Sequence, residues 1–140
     1  MKLGKFISAV PLFGMLLLGY FVVIASLQHF YPEVNVLEAR IHGFKLPSEK
    51  IWNLQVRDLV IFFGLFILYI ELFKATKATD TTIYEHILSL FVFLAYLLIF
   101  LYAPVGADST FVVLGLMSFI DVVAGLTITI TAARKDLSVG

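Results

Sequence analysis

Apolar residues fall along this chain in four long runs, Phe6–Leu27, Leu59–Lys74, Ile83–Ala103 and Phe111–Ala133, separated by polar segments. About 17–25 apolar residues are needed for a helix to cross a bilayer, and backbone polar groups in hydrocarbon must be satisfied within their own segment. The runs therefore predict four helices. The second is the shortest, because Glu71 interrupts it after Ile70, so spanning requires Glu71 to sit about one turn below the surface. The fold class expected is an all-α integral membrane protein, residues 1–140 forming a single four-transmembrane-helix bundle. Only the connection between helices one and two, residues 28–58, is long enough to hold structure of its own.

Local signals mark the boundaries. Pro11 predicts a kink in helix one. Thr82-Ile83-Tyr84-Glu85 has the form of a capping box at the start of helix three, and Pro104 with Gly106 stops that helix. Ser48 is the expected cap of an outward extension of helix two, which would place Trp52 at headgroup level. In the loop, Val34, Leu37, Ile41 and Phe44 recur at helical spacing and predict a short interfacial helix. A hairpin turning near His42-Gly43 is the other reading. Either would present an apolar face to lipid or to a partner subunit.

Composition sharpens this picture. Hydrophobic residues make up 61% and charged residues 14% of the 140, against about 45–50% apolar in soluble domains. Net charge is zero with no basic block, so nucleic acid is not an expected partner. There are no cysteines, which excludes disulfides, thiol chemistry and cysteine-held metal or iron–sulfur sites. Lys2 and Lys5 precede an apolar run longer than a signal-peptide core, so a retained first helix is expected. Basic residues then orient the bundle: Lys2, Lys5, Lys74, Lys77, Arg134 and Lys135 on one side, and Arg40, Lys45, Lys50 and Arg57 in the loop. The positive-inside rule puts both termini in the cytoplasm and the loop outside, with a bacterial inner (plasma) membrane the expected location.

Candidate chemistry lies in the few polar groups within the runs. Asp121 sits near the middle of the fourth, and a mid-membrane carboxyl is costly unless paired, hydrated or protonated. Gly115, Ser118, Asp121, Gly125, Thr129 and Ala132 form one small and polar stripe on helix four, expected to face protein. Leu116, Phe119, Val123 and Ile130 are expected to face lipid. Counting about 1.5 Å per residue from the membrane surface places Tyr69, Tyr96 and Ser89 within reach of Asp121. Glu85, Ser89, Val92 and Tyr96 make the matching stripe on helix three. No Lys or Arg shares that depth. Asp121 thus fastens the bundle through hydroxyls, meets a neighbouring subunit, or handles a proton or cation.

Glu71 is expected to pair with Lys74 along its own helix, or with His86 at the same depth as a candidate inner-side pair. Arg57 and Asp58, being adjacent, are expected to act separately. His29, His42 and His86 are too scattered to clamp a haem, and no metal spacing, phosphate loop, GxSxG or HExxH is present, so no catalytic residue, metal or cofactor is assigned. The acid that small multidrug transporters carry in helix one is absent. The expectation is a non-catalytic accessory or assembly subunit packing with other membrane-protein subunits or as a homo-oligomer. The alternative is a small oligomeric proton- or cation-coupled transporter or channel using Asp121.

Overall fold

The structure, a computed structural model, describes residues 10–77 and 82–138. Lys2, Lys5 and the first residues of the expected helix one, and the side chain of Thr82 on which the predicted capping box depends, lie outside what is described. Four long helices are present: α1 (Leu12–Phe30), α2 (Val56–Ala75), α3 (Thr82–Tyr102) and α4 (Ser109–Ser138). Segments Leu12–Phe30, Ile83–Tyr102 and Ser109–Lys135 are long and apolar enough to cross a membrane. Helix α2 has the length but carries Arg57, Asp58, Glu71 and Lys74.

Pro11 does not kink helix one. Its backbone is extended, with ψ 126°, and its carbonyl accepts from Gly14 N–H at 3.0 Å, so the helix begins immediately after it. A residue without an N–H suits the point where helical bonding starts. A π-helical stretch, Phe21–Ala25, interrupts α1 between two α-helical parts. Helix α3 stops at Tyr102, followed by an extended Ala103 and a 3-10 turn at Pro104–Gly106. A Cβ at Gly106 would lie 2.6 Å from the Ile99 carbonyl oxygen, so this turn folds back against the helix it ends. The Asp108 carboxylate then accepts from Thr110 N–H at 2.7 Å and caps α4.

The loop corrects the all-α expectation. In place of an interfacial helix there is one 3-10 turn, Val36–Glu38, and an antiparallel hairpin of β1 (Arg40–Lys45) and β2 (Ile51–Gln55). His42 and Gly43 lie within β1, and the turn is Leu46-Pro47-Ser48-Glu49, closed by Glu49 N–H to Leu46 O at 2.9 Å. Proline at the second position and a left-handed residue after it, Glu49 at φ 61°, make a type I turn with a bulge. Helical spacing did not decide the loop: Ile41 and Phe44, three residues apart in β1, lie on opposite faces of the strand and both are exposed. Ser48 consequently caps nothing, and Trp52 belongs to a strand. The N-cap of α2 is Gln55, whose N–H donates to Asp58 Oδ2 at 2.9 Å.

Helix α4 is central and packs most extensively against α2 and α3, while α1 lies across α2 and α3. The hydrophobic core gathers Tyr20, Leu37, Tyr96, Phe111 and Leu114 towards the hairpin end and continues to Phe13 at the start of α1. Three glycines set the helix approaches. A Cβ at Gly64 would meet Leu114 Cδ2 at 2.7 Å, one at Gly125 would meet His86 Cε1 at 2.7 Å, and one at Gly115 would be 3.6 Å from Tyr96. Ten residues along α4, from Gly115 to Gly125, thus correspond to ten residues back along α3, from Tyr96 to His86, as two closely antiparallel helices require.

The outward surfaces are apolar. Leu116, Phe119, Val123 and Ile130 are about half exposed on α4, as are Phe62, Phe63 and Phe66 on α2. Thr127 and Thr131, also exposed, donate to the carbonyls of Val123 and Thr127 four residues earlier. Hydroxyls on that face are satisfied by their own helix.

Candidate functional site

The polar groups of the bundle collect in a layer towards the end away from the hairpin. Asp121 is 4% exposed, with Ser118, one turn earlier on α4, fully buried beside it. Across the helix contact, the Ser89 side chain of α3 is buried and lies within reach of Asp121. A carboxyl oxygen accepting a hydroxyl across two helices recovers part of its lost hydration and joins the helices at once. Asp121 Oδ2 and Ser118 Oγ are buried and have no hydrogen-bond partner among the described residues.

Glu71 enters the same layer from α2 and is 7% exposed. Its Oε2 pairs with Lys74 Nζ at 3.1 Å, and its Oε1 accepts from Leu12 N–H at 2.6 Å. Leu12 is the first residue of α1, whose opening N–H groups have no acceptor within the helix. The carboxylate of one helix therefore caps another, where the partial positive charge of the helix start favours an anion. No regularity in the sequence marks this bond, because the donor is a leucine backbone N–H.

His86 is also buried, and its Nε2 lies 2.8 Å from Thr129 Oγ1 with the ring against Gly125. Glu71 is within electrostatic reach of both Asp121 and His86. The hydrogen-bond partner of His86, however, is Thr129 on α4 and not Glu71. The buried stripe of α3 accordingly runs through His86, Ser89 and Tyr96, with Glu85 half-buried at its margin.

Two expected members stand apart from Asp121. Tyr69 is 67% exposed and stacks on Phe73, because α2 turns its Gly64, Ile67 and Glu71 face inwards. Tyr96 is 1% exposed but donates to the Phe13 carbonyl at 3.2 Å and packs on Phe111, closer to the hairpin than Asp121. Of the stripe on α4, Ser118, Asp121 and Gly125 are buried, and Gly115 and Thr129 half-buried. Arg57 pairs with Glu38 at 2.8 Å while Asp58 caps α2, so these neighbours act separately.

One cavity, of about 330 Å³, borders this layer at His86 and Thr129, with Ile83, Leu90 and Leu126 around it, and two others lie away from it. A cleft of about 600 Å³ between α1 and α2 is lined by Leu16, Val23, Leu59, Phe63, Phe66 and other apolar residues. A second, of about 340 Å³, lies between α3 and α4 among Phe93, Phe100, Leu116 and Phe119. Neither includes Asp121 or Glu71 in its lining. Comparison of the chain with protein-family models, curated proteins and solved structures finds no match.

Proposed function

We propose that this protein is a non-catalytic membrane protein of four spanning helices, an accessory or assembly subunit that packs with other membrane-protein chains or with copies of itself. The observation that carries the reading is the use of the interior polar groups. Glu71 joins α2 to α1, His86 and Thr129 join α3 to α4, and Tyr96 joins α3 to α1, while Asp121 of α4 faces Ser89 of α3. Each bond ties one helix to another, and the two larger clefts are apolar. In lipid, where apolar burial no longer drives helices together, packing and such bonds hold a bundle.

Helix α2 crosses with the others in this reading. Its charges sit at its ends and are engaged: Arg57 with Glu38, Asp58 with Gln55, and Glu71 with Leu12 and Lys74. Lys74 reaches outwards along the helix as a snorkelling residue does. The basic flanks support an orientation with the termini in the cytoplasm and the hairpin outside. The absence of cysteine makes this simple to test. With Ser48→Cys, a membrane-impermeant maleimide should label intact cells; with Arg134→Cys it should label only opened ones. The reverse pattern would invert the topology.

A second reading, a proton- or cation-coupled carrier, is favoured by the unpartnered Asp121 Oδ2 and Ser118 Oγ. Native mass after gentle extraction, together with proton flux in liposomes, separates the two. An assembly subunit should extract as a complex and show no flux, with Asp121→Asn retaining the contact with Ser89. Flux that the wild type supports and Asp121→Asn abolishes would give first place to the carrier.

A further inference from the structure

The hairpin is held rigidly to the start of α2 and has an exposed apolar face. Strand β2 passes from Gln55 into the helix at Val56 with no intervening residue. Val56 N–H donates to Ala39 O at 3.1 Å, Gln55 Nε2 donates to Glu38 O at 3.2 Å, and Arg57 pairs with Glu38. The hairpin thus stays at the level where the helices end. Phe44 and Trp52 are cross-strand neighbours with stacked rings, centroids 5.8 Å apart, and His42 abuts Phe44 at 4.7 Å. Phe44 and Trp52 nevertheless remain 44% and 41% exposed.

We propose that this hairpin is a lipid-docking element: its ring face, His42, Phe44 and Trp52, lies in the headgroup layer of the membrane, with Lys45 and Lys50 against anionic headgroups. The inference rests on the membrane reading above. Three features select lipid as the occupant. Attachment without a linker keeps the sheet beside the bilayer surface. Arg40, Lys45 and Lys50 outnumber the single acid of the hairpin, Glu49, matching an anionic layer. Aromatic rings with a polar tip or edge favour the interface between water and hydrocarbon. Depth is bounded as well. Each strand of a two-stranded sheet has one unpaired backbone edge, which hydrocarbon cannot solvate, so the hairpin remains at headgroup level.

Trp52 is the only tryptophan in the chain and reports this directly. The full-length protein would be reconstituted in vesicles of phosphatidylcholine, with or without phosphatidylglycerol, containing lipids brominated near the headgroup or near the acyl tail. The expected result is strongest quenching of Trp52 by the shallow bromines, weak quenching by aqueous iodide, and a blue shift that grows with phosphatidylglycerol. Lys45→Gln with Lys50→Gln should remove the dependence on phosphatidylglycerol. Free access to iodide with no bromine quenching would overturn the proposal, as would a response indifferent to lipid charge. A protected Trp52 quenched by neither reagent would assign the face to a protein partner and overturn it equally. A Trp52→Phe, Phe91→Trp variant provides the control, since residue 91 is 63% exposed in the middle of α3. Quenching of its tryptophan by deep bromines with Trp52 open to iodide would sink the docking alone. Absence of deep quenching at 91 would sink the membrane reading itself.

Discussion

The two ends of the bundle are held by different means. Towards the hairpin, rings interlock: Tyr20 meets Phe111 edge-on at 5.3 Å, Tyr96 packs on Phe111 at 5.2 Å, and Leu114 closes the layer with no exposed surface. Towards the other end, Glu71, His86 and Thr129 join helices through hydrogen bonds in side-chain pairs or to backbone, and Asp121 faces Ser89. The contrast shows what distinguishes inside from outside when the surface is itself apolar. Half-exposed phenylalanines cover α2 as densely as any core, so hydrophobicity alone does not choose a face. Shape chooses it in the ring layer, where glycines admit close neighbours. Hydrogen bonding chooses it in the polar layer, because an unpaired polar group facing lipid costs more than one paired within protein.

Substitutions in the two layers should separate these contributions. The largest effect is expected from Tyr96→Ala, a loss of about 3–5 kcal/mol as for other large buried rings, read as thermal unfolding in detergent. Tyr96→Phe removes only the bond to Phe13 and should lose about 1 kcal/mol. If the two variants matched, hydrogen bonding would dominate both layers and the contrast would fall.

Next comes Glu71→Ala, which strips the acceptor from Leu12 N–H and leaves Lys74 alone. About 1–3 kcal/mol is expected, most of it from the helix-start bond, since Lys74 is partly exposed and its ion pair is screened. Glu71→Gln keeps an acceptor and should recover much of the loss in the same assay. Failure to do so would make charge, not capping, the reason for an acid at this position.

Gly125→Ala drives a methyl group into the His86 ring and should destabilise by about 1–3 kcal/mol, whereas Gly115→Ala, with 3.6 Å to Tyr96, should be nearly neutral. Equal midpoints for these two variants would remove the register that places His86 on Thr129. The smallest effect is expected at the hairpin turn. Glu49→Gly relieves a left-handed backbone and should gain up to about 1 kcal/mol, seen as slower amide exchange in β1 and β2.

Much of the architecture was readable from single residues. The runs from Leu59 and Phe111 lie inside longer helices, that from Ile83 ends within one residue of α3, and the outward positions Leu116, Phe119, Val123 and Ile130 are exposed. The site was readable only in part. Ser118, Asp121 and Gly125 share a face because their spacing is helical, but the choice of Ser89 over Tyr69 beside Asp121 depends on how α2 is rotated. Its face of Gly64, Ile67 and Glu71 turns inwards because only glycine leaves room for Leu114 and Met117. The loop misled for a different reason: four apolar residues at helical spacing are too few to fix a helix, and the turn at Pro47 with strand pairing outweighed them.

By itself the sequence determined four long apolar segments, their approximate ends and the small polar stripe of α4, since these follow from local bonding and spacing along one helix. The tertiary structure alone decided that Glu71 caps α1, that His86 meets Thr129, and that the loop is a hairpin joined directly to α2. The first two unite groups far apart in the chain, one of the donors being a backbone N–H that every residue except proline possesses, and the third depends on strand pairing across the turn.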